Sequence, residues 1–468
     1  MPSRPQLFRS TTALLAGISL VSCYQTQKLS NPAATADRWT SQQPEYLGPV
    51  SPDGWLKDIR SSKLDSLVAE AIEHNHDLQS AAARMRAAEA RSVIEGSVRF
   101  PQIRGSQDSS RTLTVDPDDQ RLRANDFDLG LNLSWEIDLW GRLRDSTAAA
   151  QQDAAAARAD YHAARLSLAA NTAKAWFNAV ETELQVELAE DTVESFQDNL
   201  DVIQRAFDAG IEEPGADNAL DLRLARANVA GAENQLALAG RNRDRSARAL
   251  ETLLGRYPSN LAKVANKLPS IRRKVPAGLP SELLLRRPDL IAAEQRLIAL
   301  GFRVKAAQKS FLPSFTITAR GGTSAREFSD LFDTDRLVGQ IAGGLVQPVM
   351  EGGRLRGELA LSEAQRDEGL QDYAQSTLDA FREVETTLAA ERYLASQETA
   401  LVLAAEESEA AQDLATEQYG RGLVDIITVL AAQRRAFEAK SSLITIRNER
   451  LQNRIDLYLA LGGEFAPK

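Results

Sequence analysis

Apolar and polar residues alternate strictly between Phe127 and Leu139, and the alternation stops at Gly141. A period of two is that of a β-strand, whose successive side chains point to opposite faces of a sheet. One side of this strand is polar and carries Asp128 and Asn132. The other side is apolar and is formed by Phe127, Leu129, Leu131, Leu133, Trp135, Ile137 and Leu139. The pattern therefore predicts a strand with one polar and one apolar face.

The segment that follows Gly141 has the period of a helix instead. No proline lies between residues 117 and 214 or between residues 348 and 467, and proline breaks helix interiors, so both gaps can hold long helices. A helix over residues 142–207 would be about 100 Å long at 1.5 Å per residue. Its predicted packed seam has the spacing of a coiled coil and consists of Leu166, Ala169, Ala173, Trp176, Val180, Val186, Ala189, Val193, Phe196, Leu200, Ile203 and Phe207.

The chain repeats this pattern. WGRLRDSTAAA is similar to GGRLRGELALS, and RAFDAGI is similar to EQYGRGL, with about 212 residues between the members of each pair. Strands are predicted near 101–113 and 127–139 in the first half and near 311–322 and 338–350 in the second. Each half is therefore predicted to contain a helix, two strands, a long helix, a tight turn and a returning helix. A period this long indicates one duplicated domain.

These features divide the chain into six segments. We expect a signal peptide at 1–22, an N-terminal arm at 23–62, a first repeat at 63–255, a connector at 256–286, a second repeat at 287–462 and a tail at 463–468.

The N-terminus has the form of an export signal. Arg4 and Arg9 precede the apolar run TTALLAGISLV, which is too short to span a bilayer. The run ends in LVSC, and Cys23 is the single cysteine of the chain, which excludes an internal disulfide. This stretch resembles the lipobox of bacterial lipoproteins, whose cysteine is lipidated after cleavage. The alternative is an ordinary signal peptide. Residue 24 is Tyr rather than the Asp of inner-membrane retention, so the resemblance implies the outer membrane.

The alternating strands have two interpretations. Alternation is commonest in half-buried strands of soluble proteins. An outer-membrane barrel is favoured by a strand length near ten, by Trp135 and Trp140 at the strand end, and by the export signal. Four strands cannot close a barrel, since about eight is the smallest number that does. An open sheet edge in lipid costs several kcal/mol for each unpaired backbone group. Membrane strands would therefore be pooled from two chains, giving eight, or from three, giving twelve.

Composition excludes several classes of function. The net charge of −10 and the pI of about 5.2 argue against a nucleic-acid partner. The histidines are His74, His76 and His162. On one helix His74 and His76 would point apart, so no metal site is predicted. We identify no catalytic constellation and no nucleotide-binding loop. We therefore expect neither an enzyme nor a bound cofactor, and the energy for any transport has to come from a partner.

Six stretches together resemble the outer-membrane efflux proteins, the TolC-like family, and more closely its lipoprotein branch, which acts with RND-type multidrug pumps. They are LVSC, LSWEIDLWGRLR, RRPDLIAAEQRL, SFLPSFTITARGG, QPVMEGGRLRGELALSEAQ and YGRGLVDIITVLAAQRRAF, in the expected order along the mature chain. The resemblance implies an α+β membrane protein: a homotrimer whose twelve-stranded β-barrel lies in the outer membrane. A long α-helical tunnel with an equatorial domain would continue the barrel into the periplasm.

The resemblance also implies roles for particular residues. The apolar side of the strand at 127–137 would face lipid. Gly141, Gly352 and Gly353 would lie where barrel strands turn into tunnel helices, a junction that suits glycine. The far ends of the long helices would form a periplasmic tip that docks an adaptor protein, at Gly210, Ile211, Arg421, Gly422, Leu423 and Val424. Plain helix C-caps account for both tip glycines without a partner, but they leave the exposed apolar residues beside them unexplained.

The family narrows its closed pore with acidic residues just after the second tip. In this chain Thr428 and Ala431 stand at those positions. Asp425 is one substitute, and Asp217 or Asp221 of the first half is another. Single aspartates near helix starts are most often capping residues, so both interpretations stand at this point.

The main hypothesis is a passive, gated exit duct for small molecules such as drugs, driven by an inner-membrane pump through a periplasmic adaptor. Removing Arg4 and Arg9 with the signal changes the charge from −10 to about −12 per chain, or about −36 per trimer, which disfavours anionic permeants if it lies in the lumen. The alternative is a periplasmic adaptor lipoprotein. Adaptors have one coiled-coil hairpin, whereas this duplicated sequence predicts two, which argues against the alternative. A third hypothesis, an envelope-anchored hydrolase, is disfavoured because the sequence offers no acid–base pair that could catalyse hydrolysis.

Overall fold

The computed structural model describes residues 32–33, 39–41, 59, 61–115, 121–209, 218–261, 265, 267–270, 286–333, 335 and 337–463. The first half contains α1 (Ser62–His74), α2 (His76–Ser97), β1 (Gln102–Val115), β2 (Arg121–Ile137), α3 (Arg142–Asp208) and α4 (Asn218–Leu253). The second half contains α5 (Pro288–Lys309), β3 (Ser314–Ala325), a 3-10 turn (Phe328–Phe332), β4 (Leu337–Val346), α6 (Arg354–Gly420) and α7 (Ile426–Ala460).

The duplicated order predicted from the sequence is confirmed. The long helices α3 and α6 each contain 67 residues, and their first residues, 142 and 354, are 212 positions apart. The returning helices α4 and α7 contain 36 and 35 residues. The two halves are therefore built to the same dimensions, with two strands leading into one long helix in each. No helix within the described ranges combines the length and the apolar character that crossing a bilayer requires.

One helix break was not expected. The Asn75 side chain accepts a hydrogen bond from the Leu78 N–H (3.0 Å) and donates one to the Leu253 carbonyl (3.0 Å). It thereby caps α2 and separates it from α1, so His74 and His76 lie on two helices and not on one, contrary to the expectation. Both histidines are exposed.

The four strands form one antiparallel sheet in the order β1-β2-β3-β4. The predicted strands are present with shifted ends. β2 begins at Arg121, six residues before the predicted start. The reason is that β1 continues to Val115, and the backbone of Val115 pairs with that of Arg121. β4 ends at Val346, short of the predicted residue 350, because Pro348 has no N–H to donate to a ladder. Backbone pairing, and not apolar alternation, sets these limits.

The predicted seam of α3 is buried along most of its length. Trp176 and Val180 are buried in the main core, which also contains residues of α1, α6 and α7. A second cluster towards the far ends of the long helices contains Phe196 and Ile203, packed with residues of α4 and α7. Phe207 is the exception, because 42% of its surface is exposed where α3 ends, so the expectation that it belongs to the packed seam is wrong.

A buried ion cluster joins α6 to α7. Glu391 accepts hydrogen bonds from Arg454 (2.6 Å) and Arg450 (3.2 Å), and Glu391 and Arg454 are only 4% and 5% exposed. A carboxylate between two guanidinium groups compensates charges that would be costly to bury alone. The cluster therefore locks the pairing of the two helices in the second half.

Candidate functional site

The sheet has one apolar and one polar face. Residues that stand opposite each other in antiparallel strands project from the same face, so the register defines both sides. Leu131 and Ile341 are 60% and 82% exposed, which is unusual for such side chains unless another apolar phase covers them. The apolar face comprises Ile103, Leu113, Phe127, Leu129, Leu131, Leu133, Trp135, Ile137, Phe315, Ile317, Leu337, Ile341 and Leu345. All six residues predicted to face lipid are in this set.

The opposite face carries polar and charged side chains. The Asn132 amide donates to the Ser106 hydroxyl (3.0 Å), and the Arg320 guanidinium lies 3.5 Å from the Asp128 carboxylate. A cavity of about 410 Å³ opens on this side, and Gln102 and Gln340 are among its lining residues. One face of the sheet is therefore suited to water and the other to lipid.

Two tryptophans fasten the helix-proximal end of the sheet. The Trp135 indole N–H donates to the Arg99 carbonyl (2.9 Å), and the Trp140 N–H donates to the Pro313 carbonyl (2.7 Å). Trp135 is half-buried and Trp140 is 44% exposed, and tryptophan with a bonded N–H beside an apolar surface is characteristic of the interface between lipid and water. These residues mark the level at which the sheet gives way to helices.

The glycines at the two strand-to-helix junctions have left-handed backbone conformations. Gly141 (φ 77°, ψ 29°) and Gly353 (φ 91°, ψ −6°) stand immediately before α3 and α6, and Gly352 has φ 57°. Residues with a Cβ rarely adopt such angles. At the first junction Asp138 caps the helix by accepting from the Leu143 (3.1 Å) and Arg144 (2.7 Å) amides. The chain can therefore leave the strand and enter the helix within a few residues.

The turn between α6 and α7 is a Schellman motif. The Gly422 N–H donates to the Tyr419 carbonyl (2.8 Å) and the Leu423 N–H donates to the Gln418 carbonyl (3.0 Å), with Gly422 at φ 69°. Leu423 is 68% exposed. In this motif the residue after the glycine usually contacts an apolar side chain in the last turn of the helix. Here the residue at that place is Gln418, which is polar, so Leu423 lacks the usual apolar contact. Arg421 forms an ion pair with Glu417, and Val424 is half-buried.

Asp425 caps α7. Its carboxylate accepts from the Thr428 hydroxyl (2.6 Å) and from the Thr428 N–H (2.8 Å), and these bonds hold the pKa of Asp425 below its ordinary value. Asp425 and Thr428 are both exposed, Ala431 is half-buried, and Asp221 lies in the first turn of α4. The structure therefore brings two of the four candidate pore residues, Asp425 and Thr428, into contact as a helix cap.

Four of the predicted site residues lie outside the described residues. They are Cys23, Gly210, Ile211 and Asp217.

An arginine clamp that joins the helices of the second half was not identified from the sequence. Arg287, in the stretch RRPD, donates to Asp289 (2.7 Å), to Glu383 of α6 (2.7 Å) and to the carbonyl of Ala460 in α7 (3.2 Å). Burial acts to raise the pKa of Asp289, but the hydrogen bonds and charge of Arg287 outweigh it and the pKa is lowered. The only signal in the sequence was the Arg-Pro-Asp run, which marks a helix start but does not indicate the partners.

Comparison with known proteins agrees with this architecture. The profile of the family described as outer membrane efflux protein matches residues 67–256 and 279–463. Among curated relatives, the pyoverdine export outer membrane protein OpmQ of Pseudomonas putida is 31% identical over 464 residues, which is 97% of each chain. The toluene efflux pump outer membrane protein TtgI of Pseudomonas putida is 32% identical and covers 96% of each chain. The cation efflux system protein CusC of Escherichia coli is 29% identical over 88% of each chain.

Solved structures lead to the same conclusion. The open state of the MtrE outer membrane channel of Neisseria gonorrhoeae superposes with a TM-score of 0.83 at 27% identity, over 95% of this chain and 98% of that one. The CmeC outer membrane channel of Campylobacter jejuni superposes with a TM-score of 0.84 at 26% identity, over 90% of each chain. The resemblance inferred from the sequence is confirmed: the chain belongs to the outer membrane efflux protein family.

Proposed function

We propose that three copies of this chain close a single twelve-stranded barrel in the outer membrane and form the passive exit duct of a tripartite efflux system. The observation that carries this proposal is the four-stranded sheet with one exposed apolar face. β1 and β4 form its two edges, each pairing with one neighbour. A sheet edge left open in lipid would cost several kcal/mol per backbone group. Edge-to-edge pairing of three sheets removes every edge.

The barrel orientation follows from the two faces. The apolar face that includes Leu131 and Ile341 turns to the lipid, and the polar face that includes Asn132 and Arg320 lines the lumen. The long helices α3 and α6 continue from the strands through the left-handed glycines, so they extend the lumen away from the membrane as a tunnel in the periplasm. The chain transports passively and catalyses no reaction, and an inner-membrane pump supplies the energy.

The adaptor of this system docks at the far ends of the long helices. Exposed apolar side chains collect there, since Leu423, Ile427 and Val202 are 68%, 46% and 44% exposed. A Schellman cap explains the turn, but it does not explain an exposed leucine at its end. We place the docking surface at Gly210, Ile211, Arg421, Gly422, Leu423 and Val424, and these exposed apolar neighbours support that placement.

The resting pore is narrowed near the same end of the tunnel. We place the constriction at Asp217, Asp221, Asp425 and Thr428. Because the two acidic positions of the family are Thr428 and Ala431 here, the negative charge comes from Asp425, one position before α7. Its carboxylate caps the helix and still carries the charge, since its lowered pKa keeps it ionised at neutral pH.

The remaining segments have supporting roles. Residues 1–22 are removed as a signal peptide, Cys23 is lipidated in the outer membrane, and residues 23–62 form the arm. Residues 63–255 and 287–462 are the two repeats, 256–286 is the equatorial connector and 463–468 is the tail. A single acyl chain anchors weakly, so lipidation supplements the barrel and does not replace it.

The cargo is a class of small molecules selected by the pump. The descriptions of three relatives name pyoverdine export, toluene efflux and cation efflux. All three are similarly related to this chain, at 31%, 32% and 29% identity. The duct of this family is therefore compatible with unlike cargoes.

Export tests the docking surface. We expect Leu423→Ser and Gly422→Ala to abolish export of a compound panel from a deletion strain while the trimer still inserts. Gly420→Ala is the matched control, because a Cβ at Gly420 meets nothing within 4 Å and its φ is not positive. If Leu423→Ser exports like the parent protein, the tip is assigned to the wrong residues.

A further inference from the structure

A row of polar residues crosses all four strands on the lumen side of the sheet. Arg104 of β1 stands opposite Asn132 of β2, Asn132 stands opposite Arg320 of β3, and Arg320 stands opposite Gln340 of β4. Opposite residues share a face, so both arginines project from the polar face at the same level. All four residues line the cavity of about 410 Å³.

The two arginines are only partly compensated. The hydrogen bond of Arg104 goes to the neutral amide oxygen of Gln102 (3.3 Å). Arg320 pairs with Asp128 at 3.5 Å, with side chains 57% and 34% exposed. A long, exposed ion pair of this kind contributes little and leaves the cation available to solutes.

Carboxylates lie at other levels of the same face. Asp108 stands opposite Asp128, and Asp126 follows two positions closer to the β1–β2 loop. Glu136 lies at the opposite end, where it pairs with Arg142 (2.7 Å). The level of Arg104 and Arg320 contains no acidic residue. The charge on this face is therefore layered, with a cationic level between two acidic ones.

We propose that Arg104 and Arg320 form an anion-attracting site on the barrel wall, which takes the carboxylate, phosphate or sulfate group of passing solutes. This inference rests on the proposed function, because it requires a closed barrel with the polar face inward. Two arginines per chain then place six guanidinium groups around the lumen of a trimer. Guanidinium forms bidentate hydrogen bonds with planar or tetrahedral oxyanions, and low-dielectric walls strengthen the field of such a ring.

The proposal reverses the expectation from net charge. A chain of −10 would favour cations throughout its lumen, whereas the arginine level gives anions a favourable position inside the barrel. Selectivity follows the charges that line the pore and not the net charge of the molecule.

Reversal potentials in planar bilayers test the site with chloride as the probe. The purified full-length channel is placed in a KCl gradient. We expect Arg104→Gln/Arg320→Gln to lower the permeability ratio of chloride to potassium about twofold or more, and Arg104→Gln alone to give a smaller shift in the same direction. Asp128→Asn removes the carboxylate beside Arg320 and is expected to shift the ratio the other way.

Arg111→Gln is the matched control. Arg111 lies on the same strand as Arg104 but seven positions away, and hence on the opposite face, where it donates to Asn125 (2.8 Å). Its removal should leave the reversal potential unchanged. A conducting double variant with the parent reversal potential would overturn the arginine site and leave the duct intact. A parent protein that does not insert into membranes as a trimer would instead overturn the proposed function.

Discussion

The junction between β4 and α6 allows the backbone account to be tested with one substitution. Gly353 holds φ 91° and ψ −6° directly before α6. A Cβ added there meets nothing within 4 Å, so Gly353→Ala changes only the conformational energy and not the packing. Forcing an L-residue into such a region costs about 1–3 kcal/mol.

Gly357, four residues further along and inside α6, is the matched control. It is exposed, has helical geometry and also offers open space to a Cβ. Gly357→Ala should stabilise the protein by about 0.5–1 kcal/mol, because alanine is the better helix former. The two variants should therefore differ by about 1.5–4 kcal/mol. Gly353→Asn should fall between them, since asparagine tolerates left-handed angles better than alanine.

Thermal unfolding of the detergent-extracted protein, followed by the far-ultraviolet circular dichroism of its helices, measures the difference. In domains of 150–250 residues about 1 kcal/mol shifts Tm by about 2–4 °C, so we expect Gly353→Ala and Gly357→Ala to melt several degrees apart, in that order. If Gly353→Ala melts with Gly357→Ala, the left-handed cap is not needed and the account of the junction is wrong.

Three further predictions concern the sheet and the helix pairs. Gly322→Ala should reduce the heat-modifiable trimer seen on gels, because its Cβ would lie 2.2 Å from a β2 carbonyl oxygen, whereas Gly321→Ala meets nothing within 4 Å and should assemble normally. Glu391→Ala should lower the free energy of unfolding by about 3–5 kcal/mol, since it removes the carboxylate to which the buried Arg454 guanidinium donates. Removal of the exposed ion pair by Glu409→Ala should cost less than about 1 kcal/mol in the same denaturant titration. Burial raises the pKa of Glu181, so the stability that its protonated form contributes is lost as pH rises through the folded-state pKa. Between acid and neutral pH, the Tm of the parent protein should therefore fall more than the Tm of the Glu181→Gln variant. Parallel curves of Tm against pH for the two proteins would contradict this.

Periodicity in the sequence predicted the elements because it reflects burial directly. The proline-free gaps and the three-to-four spacing gave α3 to within one residue of its observed end at Asp208, and the alternation identified the apolar face of β2. Strand limits were less predictable. Arg121 joins β2 through backbone pairing with Val115, which requires no apolar side chain and so leaves no mark in the pattern.

Contacts between distant segments were not predictable from one sequence. The Arg287 clamp joins residues 96 and 173 positions apart, and Glu391 meets Arg454 across 63 positions. Nothing in local spacing indicates which turn of α6 stands beside which turn of α7. The row formed by Arg104 and Arg320 likewise depends on strand register, which alternation alone does not determine.

The number of chains in the assembled particle tests the central claim most directly. Native mass spectrometry of the protein extracted from outer membranes in detergent should give three times the mass of one processed chain, because one sheet cannot close in lipid. A single chain that stays dissolved in buffer without detergent would contradict the account.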